Sequence, residues 1–435
     1  LQTSMKESVD LFSFRLVLYV VFLAIIPSYI VYKTKINYKS LKGEIVSKLK
    51  TITLSLVIIF IIIFSFSKFY TSFFREHKPL RYNANPIYWI YSIGNYVHQT
   101  LDTAPTEIKD IGLDAKIVEE ENEPKELIIL VVGETARADR FSLNGYSKET
   151  NPLLKQEDLV SFTNMSSCGT STAHSVPCMF SIFPKDDYSY KKGASTKNVL
   201  DVLNNTQDVA ILWRDNNSDS KGVALRVDYE DFQTPKTNTI CDEECRDEGM
   251  LVGLEDYIEK NRGKDILIVL HQMGNHGPAY YKRYPKEFEK FTPVCKTNQL
   301  ENCTKEEISN AYDNAILYTD YFLSKAINFL KKYSKTHEAG LLYVSDHGES
   351  LGENGIYLHG MPYAIAPKAQ THVASLIWLD NGQMSHEYDR SKIKQNKDKE
   401  YSHDNLFDTL LGLFEVKTEV YKKELDILNE ARKED

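Results

Sequence analysis

The chain has 435 residues, with 52 lysines and arginines against 61 aspartates and glutamates, so its formal net charge is −9. Apolar residues make up 42% and charged residues 26%, which excludes a disordered chain, a collagen-like chain and a disulfide mini-protein. The acidic balance argues against nucleic acid as a partner. At about 150 residues per domain, this length predicts two or three structural units.

Two stretches near the start of the sequence carry no charged residue and predict membrane-spanning helices. They cover residues 16–32 and 51–67, and about 17–25 apolar residues are needed to cross a bilayer. A pair of buried strands is the alternative, but strands rarely exceed about 10 residues. The sequence begins with leucine rather than methionine, so we expect further spans upstream of it.

The loop between these two stretches is rich in lysine. It contains one acid, Glu44, and six lysines, which are Lys33, Lys35, Lys39, Lys42, Lys48 and Lys50. Short lysine-rich loops stay in the cytoplasm, so the rest of the chain is expected across the membrane, which in a bacterium is the periplasm. The many aromatic residues between positions 69 and 101 predict a segment at the lipid–water boundary. A core helix of the soluble domain is the alternative.

All six cysteines follow the two predicted spans and fall into three local pairs. The pairs are Cys168 with Cys178, Cys241 with Cys245, and Cys295 with Cys303. Six cysteines allow 15 connectivities, but pairing between near neighbours is the economical arrangement in an oxidising compartment. A zinc knuckle fits poorly, because the spacings differ from the usual C-x-x-C sites.

From about residue 125, short runs rich in Ile, Val and Leu alternate with helical stretches. This alternation predicts a three-layer α/β/α domain with central parallel strands. The predicted strands cover residues 126–132, 208–213, 265–270, 341–345 and 373–379, and the predicted helices cover 308–333 and 403–414. The charged segment 119–125 is the predicted boundary. The organisation is then a transmembrane region at 1–68, interfacial or linker helices at 69–118, and a periplasmic domain at 119–435.

Acids and imidazoles follow three of the predicted strands. They are Glu134 after the first strand, His271 and His276 after the third, and Asp346 and His347 after the fourth. Ligands of open α/β sheets bind where strands end, so these side chains predict a metal site, with helix caps or surface residues as the alternative. Mixed carboxylate and imidazole ligands favour zinc, and manganese is the second choice. Both Asp346 and His347 reach one ion only if the backbone leaves regular strand, and Gly348 permits such a bend.

A nucleophile is predicted in residues 167–178, which are dense in hydroxyls and bracketed by two cysteines. Serine and threonine favour helix starts, and a helix start binds anions. A hydroxyl that touched zinc there would ionise more easily and attack phosphorus. Spacing alone leaves Thr170, Ser171 and Thr172 open as the nucleophile, and a plain capping loop is the alternative.

Five segments carry recognisable motifs. They are Val-Gly-Glu134-Thr135-Ala-Arg, Ser-Cys168-Gly-Thr-Ser-Thr172-Ala-x-Ser-Val-Pro-Cys178-Met-Phe, Trp213-Arg-Asp-Asn-Asn, His271-Gln-Met-Gly-Asn-His276-Gly-Pro, and Ser-Asp346-His347-Gly-Glu-Ser-Leu-Gly-Glu-Asn-Gly. Together they resemble the phosphoethanolamine transferases that modify lipid A, a group that includes the colistin-resistance enzymes. That group belongs to the alkaline phosphatase/sulfatase superfamily. The resemblance runs from about residue 70 to 414, and the family usually has five membrane spans rather than two.

The resemblance implies a role for each matching residue. Thr172, four residues after the first loop cysteine, would be the catalytic threonine, and the zinc ligands would be Glu134, Thr172, Asp346 and His347. A further cluster that binds substrate phosphate or a second metal would contain Lys221, His276 and His359, of which Lys221 rests on its offset from the Trp213 motif. The family's disulfides agree with the three local pairs. His174, where relatives often carry another side chain, either tunes the site or is an ordinary loop residue.

The implied reaction moves phosphoethanolamine from phosphatidylethanolamine to lipid A or lipooligosaccharide through a covalent threonine intermediate, with His276 or His359 as proton donor. It implies a monomer in the bacterial inner membrane, with its catalytic domain in the periplasm and a role in polymyxin resistance. The rivals are a phosphoglycerol transferase, a sulfatase and an inactive envelope scaffold. The loop after Cys168 lacks the Pro and Arg signature that sulfatases need, and phosphoglycerol transferases lack a threonine loop bracketed by cysteines. The intact metal ligands speak against a scaffold.

Overall fold

A computed structural model of the chain describes residues 14–35, 40–76, 80, 88–94, 108–117 and 124–433. These residues form two compact units, Leu1–Ser65 and Phe66–Asp435. Tyr82 and Tyr96 of the predicted interfacial segment lie outside the described residues, and so does most of the predicted boundary at 119–125.

The first unit is helical. Two α-helices, Phe14–Tyr19 and Ile26–Lys33, are joined by a π-helical turn at Val20–Ile25, and a third helix covers Leu41–Ser65. The Leu41–Ser65 helix is long and apolar enough to cross a membrane, and Val17–Lys33 is a shorter apolar helix. Both predicted spans are therefore helices, which excludes the alternative of buried strands. The Leu41–Ser65 helix begins earlier than the span predicted at 51–67, since it includes charged residues before position 51.

The strands of the second unit are β1 Lys116–Ile117, β2 Lys125–Gly133, β3 Leu159–Ser166, β4 Val209–Asp215, β5 Asp228–Asp231, β6 Asp265–His271, β7 His337–Ser345, β8 Ser350–Leu351, β9 Tyr357–Leu358, β10 His372–Leu379, β11 Tyr401–Ser402 and β12 Val416–Lys417. Eight of them form a mixed sheet in the order β11-β3-β10-β7-β2-β6-β4-β5. Two further two-stranded ladders pair β1 with β12 and β8 with β9.

All five predicted strands are present, but the direction of one was wrong. β4, β6, β2 and β7 run parallel to one another, as predicted, whereas β10 is antiparallel to both of its neighbours. β10 is nearly all buried, like the parallel strands, and burial on both faces rather than direction produces an all-apolar sequence. The prediction missed β3 and the exposed edge strand β5, because neither is an apolar run.

Alternate residues of β2 face two separate cores, which makes the unit three-layered. Ile128, Leu130 and Val132 join one core, and Leu127, Ile129 and Val131 join the other. The Val199–Asn205 and Leu406–Leu413 helices contribute to the first core, and the Lys305–Leu330 helix contributes to the second. The remaining helices are Ser67–Glu76, Thr172–Met179, Tyr190–Ala194, Leu254–Lys260, Lys368–Thr371, Met384–Glu387 and Arg390–Asn396, and residues 88–94 are also helical.

The Ser67–Glu76 helix lies in the segment for which an interfacial position and a core position were the alternatives. One face packs on the rest of the second unit: Ser67 donates a hydrogen bond to the Gly355 carbonyl, and Lys68 donates one to the Cys303 carbonyl. Two aromatic side chains of the same helix, Phe69 and Phe74, are 40% and 62% exposed. Exposed aromatic rings on a packed helix are compatible with contact at a lipid–water boundary.

Glu126 is buried near the amino end of β2, and its carboxyl should make the stability of the fold depend on pH. Burial and the neighbouring Asp265 raise the pKa of Glu126 well above the usual range. Its stabilising contribution is therefore complete below about pH 4.3, the ordinary glutamate pKa, and is lost as pH rises through the elevated value.

Glu126→Gln should raise the stability of the purified chain at neutral pH by about 1 kcal/mol or more, because the amide mimics the protonated carboxyl. Thermal unfolding followed from pH 5 to 8 measures the difference, which should shrink towards low pH. The exposed Glu306→Gln serves as control. A wild-type and a Glu126→Gln profile that remain parallel across this pH range would contradict the assignment.

Candidate active site

Three side chains that could hold a metal ion meet at the carboxyl ends of the adjacent parallel strands β2 and β7. Glu134 follows β2, and Asp346 and His347 follow β7. All three are completely buried, and one potential ligand atom from each lies within 4.8 Å of the others. His347 Nε2 is 3.6 Å from Glu134 Oε1 and 3.4 Å from Asp346 Oδ2. As predicted, the backbone leaves regular strand before Asp346, since β7 ends at Ser345.

The hydrogen bonds of these three side chains leave one atom of each for a cation. Asp346 Oδ1 accepts from the backbone N–H groups of Thr135 (3.1 Å) and His347 (2.7 Å). His347 Nδ1 donates to the Gly348 carbonyl at 2.9 Å, so the neutral ring carries its proton on Nδ1 and a lone pair on Nε2. Glu134 Oε1 and Asp346 Oδ2 are buried without a hydrogen-bond partner among the described residues.

This donor set fits a divalent cation such as zinc. Buried charged oxygens are costly unless a positive group faces them, and two carboxylates with one imidazole form a typical zinc environment. Burial alone would lower the pKa of His347, but the carboxylates of Asp346 and Glu134 raise it above its usual value. The cluster therefore favours a positive charge at its centre.

The turn that carries Glu134 is held in an unusual backbone conformation. Thr135 has a φ of +53°, a region that a β-branched residue enters only under constraint. The Tyr312 hydroxyl supplies one constraint, since it donates to the Thr135 carbonyl (2.6 Å) and accepts from the Arg137 N–H (3.0 Å). Gly274 supplies another, because a Cβ on it would lie 3.0–3.1 Å from the backbone and Cβ of Glu134.

Gly348 serves a different purpose from the one predicted. Its φ lies outside the left-handed region, so the bend after Asp346 does not require glycine there. A Cβ at Gly348 would instead collide with the Ala369 carbonyl oxygen, and its N–H donates to the Gln370 carbonyl (2.9 Å). The glycine permits two backbone segments to approach closely beside the ligands.

The structure distinguishes the three hydroxyls that the sequence left open. Thr172 is the first residue of the Thr172–Met179 helix, and its Oγ1 donates to Glu134 Oε2 at 3.0 Å and lies 3.4 Å from His347 Nε2. Thr170 points elsewhere, since its Oγ1 donates to the Met361 carbonyl. Ser171 is the N-cap residue and makes no side-chain cap bond. Of the three hydroxyls, Thr172 is therefore the one that contacts Glu134 and His347.

Two of the three residues expected in the second cluster lie beside these ligands. The His359 ring is 4.2 Å from the His347 ring, and the His276 ring is 6.3 Å from the His359 ring. His359 Nδ1 is 3.3 Å from both carboxylate oxygens of the buried Glu349. His359 thus lies beside His347, and His276 lies beside His359.

Lys221 and His174 occupy other surroundings. Lys221 Nζ donates to the Ser218 carbonyl (2.7 Å), and its side chain lines a cavity of 160 Å³ with Pro177 and Tyr188. Neither His276 nor His359 lies in the described lining of that cavity. His174 packs edge-on against Tyr188, with 5.2 Å between ring centroids, and burial lowers its pKa.

Sequence reasoning named His271 at the end of β6 but assigned no role to Asn217, which follows β4. Asn217 Nδ2 donates to Glu134 Oε2 and to the Gln272 carbonyl, both at 2.8 Å. His271 Nδ1 is 2.8 Å from Asp215 Oδ2; burial lowers the pKa of His271, but Asp215 outweighs this and raises it. A signal for Asn217 was present, since it follows the apolar strand β4 and belongs to the Trp213 motif.

The six cysteines form three disulfides, Cys168–Cys178, Cys241–Cys245 and Cys295–Cys303, which are the predicted local pairs. The first encloses the segment that carries Thr172. It joins the loop before the helix to the helix itself, so it restricts the conformations open to the segment of Thr172.

Comparison with known proteins identifies two family matches. Residues 126–416 match the Sulfatase family model, and residues 1–101 match a model described as phosphoethanolamine transferase EptA/EptB. Phosphatidylethanolamine transferase Mcr-2 of Escherichia coli is 47% identical over 96% of this chain and 78% of its own length. Phosphoethanolamine transferase EptA of Escherichia coli K12 is 45% identical over 88% of this chain and 70% of its own.

A solved structure matches the whole length. It is the integral membrane protein lipooligosaccharide phosphoethanolamine transferase A from Neisseria meningitidis, which is 36% identical. The match has a TM-score of 0.75 and covers 100% of this chain and 81% of that one.

Gly274→Ala should weaken metal binding more than it weakens the fold. The new methyl group would push on Glu134, and displacement of a ligand's support typically costs about 10–100-fold in metal affinity. Zinc affinity measured by competition with a chromogenic chelator tests this.

Gly145→Ala is the matched control, because Gly145 also has a positive φ but a Cβ there meets open space. Both variants should lose about 1 kcal/mol of stability from left-handed backbone strain. Equal zinc affinities in the two variants would show that Gly274 does not support Glu134.

Proposed function

The chain belongs to the phosphoethanolamine transferase family, and we propose that it moves phosphoethanolamine from phosphatidylethanolamine to lipid A through a covalent intermediate on Thr172. The observation that carries this proposal is the position of the Thr172 hydroxyl, hydrogen-bonded to Glu134 among buried metal ligands. The family membership agrees with the resemblance seen in the sequence motifs, and relatives named as transferases are 44–47% identical.

Zinc would be held by Glu134, Asp346, His347 and the Thr172 oxygen. The unpaired oxygens of Glu134 and Asp346 support a cation there, and the carboxylate and imidazole donors support zinc. When bound, zinc would favour the ionised hydroxyl and offset negative charge on a phosphoryl group. His359, which lies next to His347, and His276, which lies next to His359, are the residues for a second metal or for the substrate phosphate.

In the first half-reaction the Thr172 oxygen attacks the phosphorus of phosphatidylethanolamine. Glu134 Oε2 already accepts a hydrogen bond from the Thr172 hydroxyl and is positioned to take its proton. A bond forms between Thr172 Oγ1 and phosphorus, and the bond from phosphorus to the diacylglycerol oxygen breaks. His276 or His359 gives the leaving oxygen its proton, since an imidazole titrates near neutral pH.

In the second half-reaction an oxygen of lipid A attacks the phosphorus of phosphothreonine. The new phosphorus–oxygen bond carries phosphoethanolamine to the acceptor, and the bond to Thr172 breaks. The imidazole that lost its proton can accept one from the attacking group, and Thr172 regains a proton from Glu134. The chain returns to its starting state.

The apolar N-terminal helices suit such a reaction, because donor and acceptor are both lipids. Anchoring holds the catalytic unit near the bilayer and raises the effective concentration of its substrates. We propose an inner-membrane location with a periplasmic catalytic unit, which the lysine-rich loop, the three disulfides and the match to an integral membrane relative support.

Thr172→Ala should abolish transfer and remove any covalent adduct, because no oxygen remains to bind phosphorus. The full chain is incubated in vesicles that contain phosphatidylethanolamine and lipid A. Mass spectrometry of the intact protein and of lipid A then detects the added phosphoethanolamine.

Ser171→Ala is the control, since Ser171 is adjacent but makes no cap bond, and it should retain both signals. Transfer by Thr172→Ala, or loss of transfer in Ser171→Ala alone, would refute the nucleophile assignment. An adduct on wild-type protein without modified lipid A would keep the nucleophile and refute the acceptor.

A further inference from the structure

We infer that His403 is a positioning residue, whose imidazole sets the distance between the nucleophile loop and the strand ends that carry the metal ligands. Its ring touches no substrate-facing group named above. It lies between the backbone of Cys168 and the backbone of Ser345, which belong to separate parts of the chain.

Both ring nitrogens are used, and the partners fix their roles. The Cys168 N–H donates to His403 Nδ1 at 3.1 Å, and His403 Nε2 donates to the Ser345 carbonyl at 2.9 Å. Only a neutral ring with its proton on Nε2 can make both bonds. The side chain is 1% exposed, and burial lowers the pKa of His403 to about 4, so this neutral form persists at neutral pH.

Ser345 extends the connection to the third ligand-bearing turn. Its Oγ accepts from the Ala136 N–H at 2.7 Å and donates to the His347 carbonyl at 3.1 Å. Ala136 lies two residues after Glu134, Ser345 lies just before Asp346, and Cys168 lies four residues before Thr172. One imidazole and one hydroxyl thus link all the segments that hold the proposed zinc ligands.

A rigid ring bonded at both ends acts as a spacer of fixed length. Without it, the Cys168–Cys178 segment keeps its disulfide, but it loses this polar bond to the end of β7. Reactions that depend on aligned groups lose about 100-fold when a group moves by roughly 1 Å. The expected loss is therefore in the chemical step rather than in substrate binding.

Two substitutions at position 403 separate hydrogen bonding from volume. His403→Phe keeps a ring but makes neither bond, and His403→Gln offers one acceptor and one donor. His337→Phe is the matched control, because His337 is a buried histidine at the opposite end of β7, where it bonds to its neighbour Thr336.

The full chain is loaded with cobalt(II), whose visible absorption reports ligand geometry, and the transfer kinetics are measured with zinc. We expect His403→Phe to shift the cobalt spectrum and lower kcat about 10–100-fold with KM within about twofold. His403→Gln should restore both, and His337→Phe should change neither. Hydrogen exchange of metal-free protein should show faster exchange in residues 167–180 of His403→Phe alone.

Because this assignment rests on the proposed zinc and threonine chemistry, the wild-type protein provides the first result. Wild-type protein without ligand-field bands from bound cobalt would overturn the proposed function itself. With those bands present, an unchanged spectrum and kcat in folded His403→Phe would overturn the positioning role alone. So would a His403→Gln protein that behaves like the Phe variant, since the ring and not its bonds would then matter.

If His403→Phe does not fold, His403→Asn decides the question, because its amide also offers one acceptor and one donor but is too short to reach both the Cys168 N–H and the Ser345 carbonyl. We expect a shifted cobalt spectrum and a kcat about 10-fold lower in that variant. A His403→Asn protein with the wild-type spectrum and kcat would overturn the assignment.

Discussion

The catalytic unit depends on two carboxylates that are buried side by side. Each has an oxygen without a hydrogen-bond partner among the described residues. Glu134 and Asp346 sit at the ends of neighbouring strands and are completely shielded from solvent. Buried negative charge is stable only opposite a positive group. The surrounding hydrogen bonds satisfy the other oxygens and turn the remaining ones inward. The site is therefore prepared for a cation by the fold, before any substrate arrives.

The sheet topology explains how residues far apart in sequence reach this point. Parallel β2 and β7 deliver Glu134 and Asp346 to the same edge, and β6 and β4 bring His271 and Asn217 beside them. Thr172 arrives differently, from a loop closed by a disulfide and joined to a short helix. The supports of that loop, rather than those of the strands, set the position of Thr172.

The sequence predicted much of this fold because buried parallel strands are written as uninterrupted apolar runs. It could not give the direction of β10, since an antiparallel strand buried on both faces has the same composition. β5 is short, polar and exposed, so no local pattern reveals it.

Glu134, Asp346 and His347 were predictable, because polar residues directly after apolar strands meet at one edge. The choice of Thr172 among three hydroxyls came from the family resemblance and not from spacing. The contact of His403 with Cys168 joins residues 235 positions apart. Such a bond satisfies groups that are buried only once the chain has folded, so single-sequence patterns carry no trace of it.

The Ser67–Glu76 helix has a bearing on inhibition. It is fastened to the Gly355 carbonyl, and Lys68 lies over the Tyr357 ring at 5.9 Å, so it rests on the short hairpin of β8 and β9. That hairpin ends at Leu358, immediately before His359. A compound that displaced this helix would therefore act on the segment of His359 from outside the cluster of Glu134, Asp346 and His347.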